Sequence, residues 1–425
     1  MHLRSWLFPG IFAGAVFGSL LAAPLIAQQT PSPSGGIVDG TFTAVHFERW
    51  VAEGHTKQIP WHLEIRSPRL SSHQRIAAQV LISVPSREFF QRPGLARLKA
   101  FLQITDTQSR VFQSHLSLTP RKQKTLSPGT EVRFQWGVFL LPGEYHLAVA
   151  FADTKTGAHN FAQKTLRVKP LKNDPLPDVW NGLPEVEFFG TEGDLEEAYL
   201  PDVATALNLS LVPTHPVDLH ILVNVAVPDR PATFGRGPVA ASRTAYMRSL
   251  RDLLPIVKIL GQLPLERGTK GLEVVDATRR QVIFTQNGFH SLDWYRMETT
   301  LQAVNPAIID VKSLQQRTLN AAFIRDQVLE LLRPSGDASP GRARVVILLS
   351  HEMDLSHNKK LPLATLPANC NCQVFYLRLR PAFLFGYRDD IGQALEGLKP
   401  LAFSADSPKS FRKALAEIIA RISRM

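Results

Sequence analysis

The densest set of chemically capable side chains is one octapeptide, Ser350-His351-Glu352-Met353-Asp354-Leu355-Ser356-His357. Two imidazoles and two carboxylates follow a run of apolar residues. Both group types bind transition metals, so one reading is a zinc or nickel site, with metal-assisted hydrolysis as its chemistry. The spacing is not His-Glu-x-x-His, which sets two histidines one helical turn apart. These residues fall on a predicted loop, so the competing reading is a polar surface loop.

Other catalytic signatures are missing. There is no Gly-x-Ser-x-Gly elbow and no Gly-rich phosphate loop ending in Lys and Ser or Thr. The FGRGP stretch at 234–238 reads as a turn. Asp276, Asp293 and Asp310 are single acids that one sequence cannot pair as acid and base. Arg279-Arg280 is expected to crown a hairpin turn, with a phosphate or polysaccharide contact as the alternative. Trp294-Tyr295 reads as a helix-face anchor before it reads as a stacking platform. The chain has 2 cysteines, Cys370 and Cys372, in the string NCNC. Two residues of separation is poor geometry for a disulfide, and a bond there is expected to be reducible. A redox or metal Cys-x-Cys site and a pair of small, half-buried thiols are both open readings.

The elements that must position the octapeptide alternate strand and helix from Val217 onward, the pattern of an α/β fold with a mainly parallel sheet. VDLHILVN and RVVILLS are continuous apolar runs, as strands buried on both faces should be. Ser242 is expected to cap a helix to about Leu260, with Met247, Leu250, Leu254 and Val257 inward and Pro255 as a kink. GLEVVDATRRQVIF reads as two strands around a tight turn. A helix over 319–332 is predicted to turn Leu319, Ala322, Phe323, Leu329 and Leu332 inward. CQVFYLRL is another strand and PLAFSA a short edge strand. Ser407-Pro408 starts a last helix that buries Phe411, Leu415, Ile418, Ile419 and Ile422.

Residues 37–170 are β-rich, with strand-forming runs separated by turn signals such as Leu141-Pro142-Gly143. Roughly seven strands at that spacing suggest a sandwich of the immunoglobulin or fibronectin kind. Residues 171–216 read as a Pro-rich, acidic connector that packs on the C-terminal part through Trp180, Phe188 and Phe189. Glu192, Asp194, Glu196 and Glu197 form its acidic patch, a ligand surface or a solvated loop.

The N-terminus predicts a secretory signal peptide over residues 1–27: MHLR, a long apolar run, then a small-residue end at Ala27. The alternative is an uncleaved anchor. Residues 28–36, QQTPSPSGG, read as a flexible tether. An exported protein, periplasmic or extracellular, is therefore expected, with no stable membrane insertion once the segment is removed. The formal charge of +11 suits anionic polymers or lipid headgroups, but Lys and Arg are scattered and no run resembles a nucleic-acid arm.

The order strand, helix, strand hairpin, helix, strand, strand, helix over about 215–425 resembles the von Willebrand factor A (vWA) domain. VDLHILVNVAVP resembles its first strand, whose exit normally carries Asp-x-Ser-x-Ser; those positions here are Asn224, Ala226 and Pro228. RTLNAAFIRDQVLELL is similar to the segment supplying the metal-site Thr, matched by Thr318. RVVILLSHEMD resembles the strand ending in Ser-Asp-Gly, with Ser350 kept and His351 and Glu352 in the other two places. The combination also resembles exported bacterial vWA-related proteins.

The resemblance implies a fold of two parts: a vWA/Rossmann-like, mostly parallel sheet flanked by helices over 217–425, preceded by an all-β immunoglobulin/fibronectin-like sandwich. It implies a Mg²⁺ site at the strand ends, yet Ala226 and Pro228 offer no ligand and His351 is a nitrogen that hard cations do not favour. The expectation is a metal-free, cofactor-free protein-binding or scaffold module that contacts a protein partner and no nucleic acid. Its contact positions would be Asn224, Ala226, Pro228, Thr318, Ser350, His351 and Asp354. An envelope hydrolase using His351 to His357 is the alternative. A basic module holding anionic envelope polymer, sensitive to salt, is a third.

Overall fold

The computed structural model describes residues 25–26, 28–29, 40–91, 97–117, 127, 129–189, 206–209, 211–228, 243–306, 318–333, 342–355, 363–366, 370–380 and 388–425. Within them the protein is mixed α/β, with sheets that are mainly antiparallel in its first half and one mixed sheet in its second.

One N-terminal sheet contains β1 (Leu25–Ile26), β4 (His62–Leu70), β5 (Ile76–Pro85), β8 (Glu131–Leu140) and β11 (Val186–Phe189). Its order is β1-β8-β5-β4, with β11 also on β8. The other contains β2 (Gln28–Gln29), β3 (Thr56–Lys57), β6 (Leu98–Thr105), β7 (Val111–Ser117), β9 (Gly143–Asp153) and β10 (His159–Val168), in the order β2-β7-β6-β9-β10-β3. Alternation along the strands sorts their side chains. Val80, Ile82, Phe134 and Trp136 from the first sheet share one core with Leu102, Ile104, Val149 and Phe151 from the second. The intervening residues of the second sheet, Phe101, Ala148, Ala150 and Ala152, face the other way, as a period of two requires.

That outer face is covered by α1 (Gly40–Ala44) and α2 (Phe47–Glu53) through Phe42, Phe47 and Trp50. The all-strand expectation for 37–170 missed both helices, and α3 (Arg87–Gln91) as well. The first two are short, and α2 begins after His46 in the left-handed region with no side-chain cap, so no starting signal marks it. Leu141-Pro142-Gly143 carries the chain from one sheet to the other, since β8 and β9 do not pair.

The third sheet has the order β14-β13-β12-β15-β16-β17, built from β12 (Val217–Asn224), β13 (Gly268–Asp276), β14 (Gln281–Asn287), β15 (Ala343–His351), β16 (Cys372–Leu379) and β17 (Leu401–Ser404). Only β14 is antiparallel to its neighbour. Both faces are buried, which is why β12 and β15 are continuously apolar. Leu219, Ile221 and Val223 face α4 (Arg243–Gly261), α5 (Trp294–Ala303) and α8 (Pro408–Ser423). Leu222, Val346 and Leu348 face α6 (Thr318–Leu331) and α7 (Asp390–Leu395). Helix α4 runs without interruption across Pro255. Ser242 lies outside the described residues. In α6 the expected inward Leu319 is 43% exposed; Ala321, Ile324 and Val328 take the core instead. Ser407 caps α8 by accepting from Ser410 N, and Ser410 returns the bond in a capping box.

The halves meet at Arg412 on α8. Its guanidinium forks onto Asp174 (Nε–Oδ1 2.6 Å, Nη2–Oδ2 2.7 Å), donates to Leu176 O, and lies 4.8 Å from the Trp180 ring centre. Gln74, at the β4–β5 turn, accepts from the Trp180 indole at its carbonyl and donates its side-chain amide to Pro408 O. Trp180 therefore anchors as expected. Phe188 and Phe189 do not: they sit in β11 and pack on the first sheet. The acidic patch Glu192 to Glu197 lies outside the described residues.

Candidate functional site

In the third sheet the first strand, β12, lies between β13 and β15, so the chain runs outward in opposite directions on its two sides. Open α/β sheets form their crevice at the carboxyl ends beside such a point. Asn224, the last residue of β12, is there in register with Ser350 of β15 and Val275 of β13.

Asn224 is fully buried and all of its amide is engaged. Its Oδ1 accepts from Ala226 N (3.2 Å) and Ala277 N (3.0 Å). Its Nδ2 donates to Ser350 Oγ (2.9 Å) and Met353 Sδ (3.1 Å). The orientation follows from chemistry: two main-chain N–H groups only donate, so the oxygen must face them. The bond to Ala226 turns the chain two residues on, an Asx turn at the strand exit. The other bonds reach Ala277 just after β13, Ser350 at the end of β15 and Met353 just beyond it. One side chain thus ties three strand ends together.

This arrangement does not fit the divalent cation that the sequence resemblance implies. The oxygen is saturated by two donors, and the atom aimed at Ser350 Oγ is an amide nitrogen that carries hydrogens. Ser350 is buried, and its hydroxyl donates a hydrogen bond to His351 O (2.8 Å). Ala226 is buried in the core beside α6, and Pro228 is half-buried. Thr318 opens α6.

His351 is the last residue of β15, not part of a loop, because Glu352 N continues the pairing by donating to Leu379 O. It is buried, and its ring nitrogens make no well-formed hydrogen bond, with the main chain of Ser249 and Leu379 the nearest polar groups. Burial pushes its imidazole down to about 4; the main chain of Ser249 and Leu379, and Asp406, oppose this only in part. The native state therefore holds a neutral imidazole where the unfolded chain binds a proton below about pH 6.5. Stability from this group is complete above that pH and is lost as pH falls toward 4, on the order of 3 kcal/mol. Urea unfolding at pH 7 and pH 4.5 checks this: wild type should lose far more than His351→Leu.

The nearby carboxylates are engaged too. Glu352 is buried against Arg380 (3.2 Å) and Arg378 (3.6 Å). Asp390 accepts from Leu355 N, holding the 352–355 segment against α7. Asp389 caps α7 at Gly392 N and accepts from the Tyr376 hydroxyl; burial raises both of these groups. Asp354 is half-buried. His357 lies outside the described residues. Among those that are described, no group of three or more His, Cys, Asp or Glu converges as a metal set.

Of the isolated acids, Asp276 accepts from Thr278 N and Arg279 N and shapes the β13–β14 turn. Asp293 caps α5 at Arg296 N. Asp310 lies outside the described residues. Arg279 crowns the turn as expected and donates to Asn305 O. Trp294 packs on the core, while Tyr295 is 81% exposed. Sequence reasoning missed Ala277, Met353, Asp389 and Asp390. Ala277, Met353 and Asp390 act through contacts made at long range, whereas Asp389 is a local cap, three residues before the Gly392 N–H it accepts.

No protein-family model and no curated protein matches the chain. Among solved structures, a Northeast Structural Genomics Consortium target is 16% identical and matches 28% of this chain and 94% of its own, with a TM-score of 0.16. A glycosyl hydrolase family 2 member from Bacteroides cellulosilyticus DSM 14838 is 9% identical over 82% of this chain, also with a TM-score of 0.16. The chain spans 39% of that hydrolase. Likeness at this level carries no argument about fold or activity.

Proposed function

We propose that this is an exported protein-binding or scaffold module, in which an immunoglobulin-like sandwich (37–170) and a connector (171–216) carry a vWA-like part (217–425) whose contact face works without a metal. The carrying observation is the Asn224 amide, which ties the strand ends at the switch point by four hydrogen bonds. A metal-ligating face keeps oxygens free for a cation; this one has spent them on the chain's own main-chain donors. The vWA-like reading is supported by the strand order, with the first strand central and the antiparallel hairpin strand at one edge. The sandwich reading is supported by the core common to both N-terminal sheets and by Tyr145. Its hydroxyl donates to Leu141 O (2.9 Å), four residues upstream, the corner found in such sandwiches.

With its ring nitrogens buried, His351 presents no ligand or base to solvent, which counts against the hydrolytic reading. The partner would meet the loops around Pro228, Asp354 and Arg380 at the carboxyl ends of the strands. Photo-crosslinking side chains placed at Asp354 and Arg380, and at Glu266 on the opposite rim, test this in native envelope. Capture of one protein from the first two positions alone is expected. Capture from Glu266 alone, or equal capture from all three, contradicts the reading.

A further inference from the structure

The structure joins Cys370 to Cys372, the chain's only cysteines, at the start of β16. This is the opposite end of the sheet from Asn224, so the pair is independent of the face proposed above. A bridge across one intervening residue closes a very small loop and removes little freedom from the unfolded chain, so stapling the fold is not what it is suited to. Its surroundings suit exchange instead. Both cysteines are half-buried and Asn371 between them is exposed, so a sulfur can be approached. Asn371 O accepts from Arg344 N (2.9 Å), which fixes the tripeptide to the rim of central strand β15.

Arg344 is also the register partner of Cys372, so the two side chains leave the same face of the sheet on adjacent strands. The Arg344 guanidinium donates to Leu332 O (3.3 Å), so Cys372 shares its face of the sheet with a held positive charge, and a nearby positive charge favours a thiolate and makes it the better leaving group. Cys372 in addition packs against the core under α6, which leaves Cys370 as the more approachable sulfur.

We propose that Cys370–Cys372 is a thiol–disulfide exchange site whose co-reactant is a protein dithiol. One thiolate of the dithiol attacks Cys370 Sγ. The Cys370–Cys372 bond breaks, a mixed disulfide forms at Cys370, and Cys372 leaves as a thiolate on the face of the sheet that carries Arg344. The second thiol of the dithiol then attacks the mixed disulfide and displaces Cys370. The dithiol ends as a disulfide, and two electrons and two protons reside on Cys370 and Cys372.

The test uses the full chain and an unstructured peptide carrying two reduced cysteines. Thiol labelling and mass spectrometry follow both molecules, and urea unfolding is measured on the oxidised and reduced protein. The expected result is a bridge present in the purified protein and about one peptide oxidised per chain. Both Cys370→Ser and Cys372→Ser should lose peptide oxidation, because each leaves a lone thiol with no disulfide to exchange. The urea midpoint should be the same in both redox states. Two free thiols in the native protein, a bridge that survives excess dithiol, or a large fall in the midpoint on reduction would each overturn the proposal.

Discussion

Asn224→Ala should unfold more easily than wild type by about 3–5 kcal/mol, read by urea titration at pH 7. The substitution leaves Ala226 N and Ala277 N as buried donors without acceptors, at roughly 1–3 kcal/mol each. It also strips the amide hydrogens from Ser350 Oγ and Met353 Sδ and leaves a small void among three strand ends. Asn224→Asp separates these effects. A carboxylate keeps an acceptor for both main-chain N–H groups but replaces the donating nitrogen with oxygen and buries a charge that no described cation offsets. It should still cost about 2 kcal/mol or more at neutral pH. Millimolar Mg²⁺ should not restore it, because Ala226 and Pro228 contribute no ligand. Rescue by Mg²⁺ would mean that the surrounding loops retain a cation site.

Arg412→Ala should cost about the same, 3–5 kcal/mol, by a different route. Arg412 is 2% exposed and supplies the positive charge that forks onto Asp174. Burial raises the Asp174 carboxyl, but the bonds from Arg412 and Leu176 N outweigh it and hold the group below its ordinary range. Removing the guanidinium leaves that carboxylate among Trp180 and the main chain with its charge unmatched. Trp180 loses the cation above its ring, and Gln74 O loses one of its two donors. Because Asp174 and Gln74 belong to the first half of the chain and Arg412 to the last helix, the damage should fall on the union of the two. Limited proteolysis near residue 174 should quicken before either half loses its circular dichroism. The double variant Arg412→Leu/Asp174→Leu should recover most of the loss, since removing both charges ends the desolvation penalty. Failure of the double variant to recover would show that packing of the long side chain, not its charge, holds the halves together.

The sequence is most informative where a residue's surroundings are the same along a whole element. RVVILLS and VDLHILVN are apolar throughout because parallel strands inside a sheet see helices on both faces, and both strands are where the pattern puts them. Ser407-Pro408 announces α8 because a cap is a local device. Legibility fails where the decisive partner is distant. VFQSHLS mixes polar and apolar residues without a clean period, and β7 exists because β6 pairs along it. The segment DIGQAL is too short for a helical period, and α7 is held in place by burying Ile391 and Leu395 in one core with Ile324 and Val328 of α6. His351 looks like a loop ligand in sequence; pairing past the strand end draws it into the interior. At Asn224 the sequence discloses that a carboxylate is missing. It does not disclose what replaces it, because the partners lie 53, 126 and 129 residues away.

Calorimetric titration of the full chain with Mg²⁺ and with Mn²⁺ tests the metal-free face most directly. The Asn224 network predicts no saturable heat from either ion, in wild type and Asn224→Ala alike. Micromolar binding in wild type that disappears in Asn224→Ala would contradict it, because that amide would then be a ligand and not a clasp between strand ends.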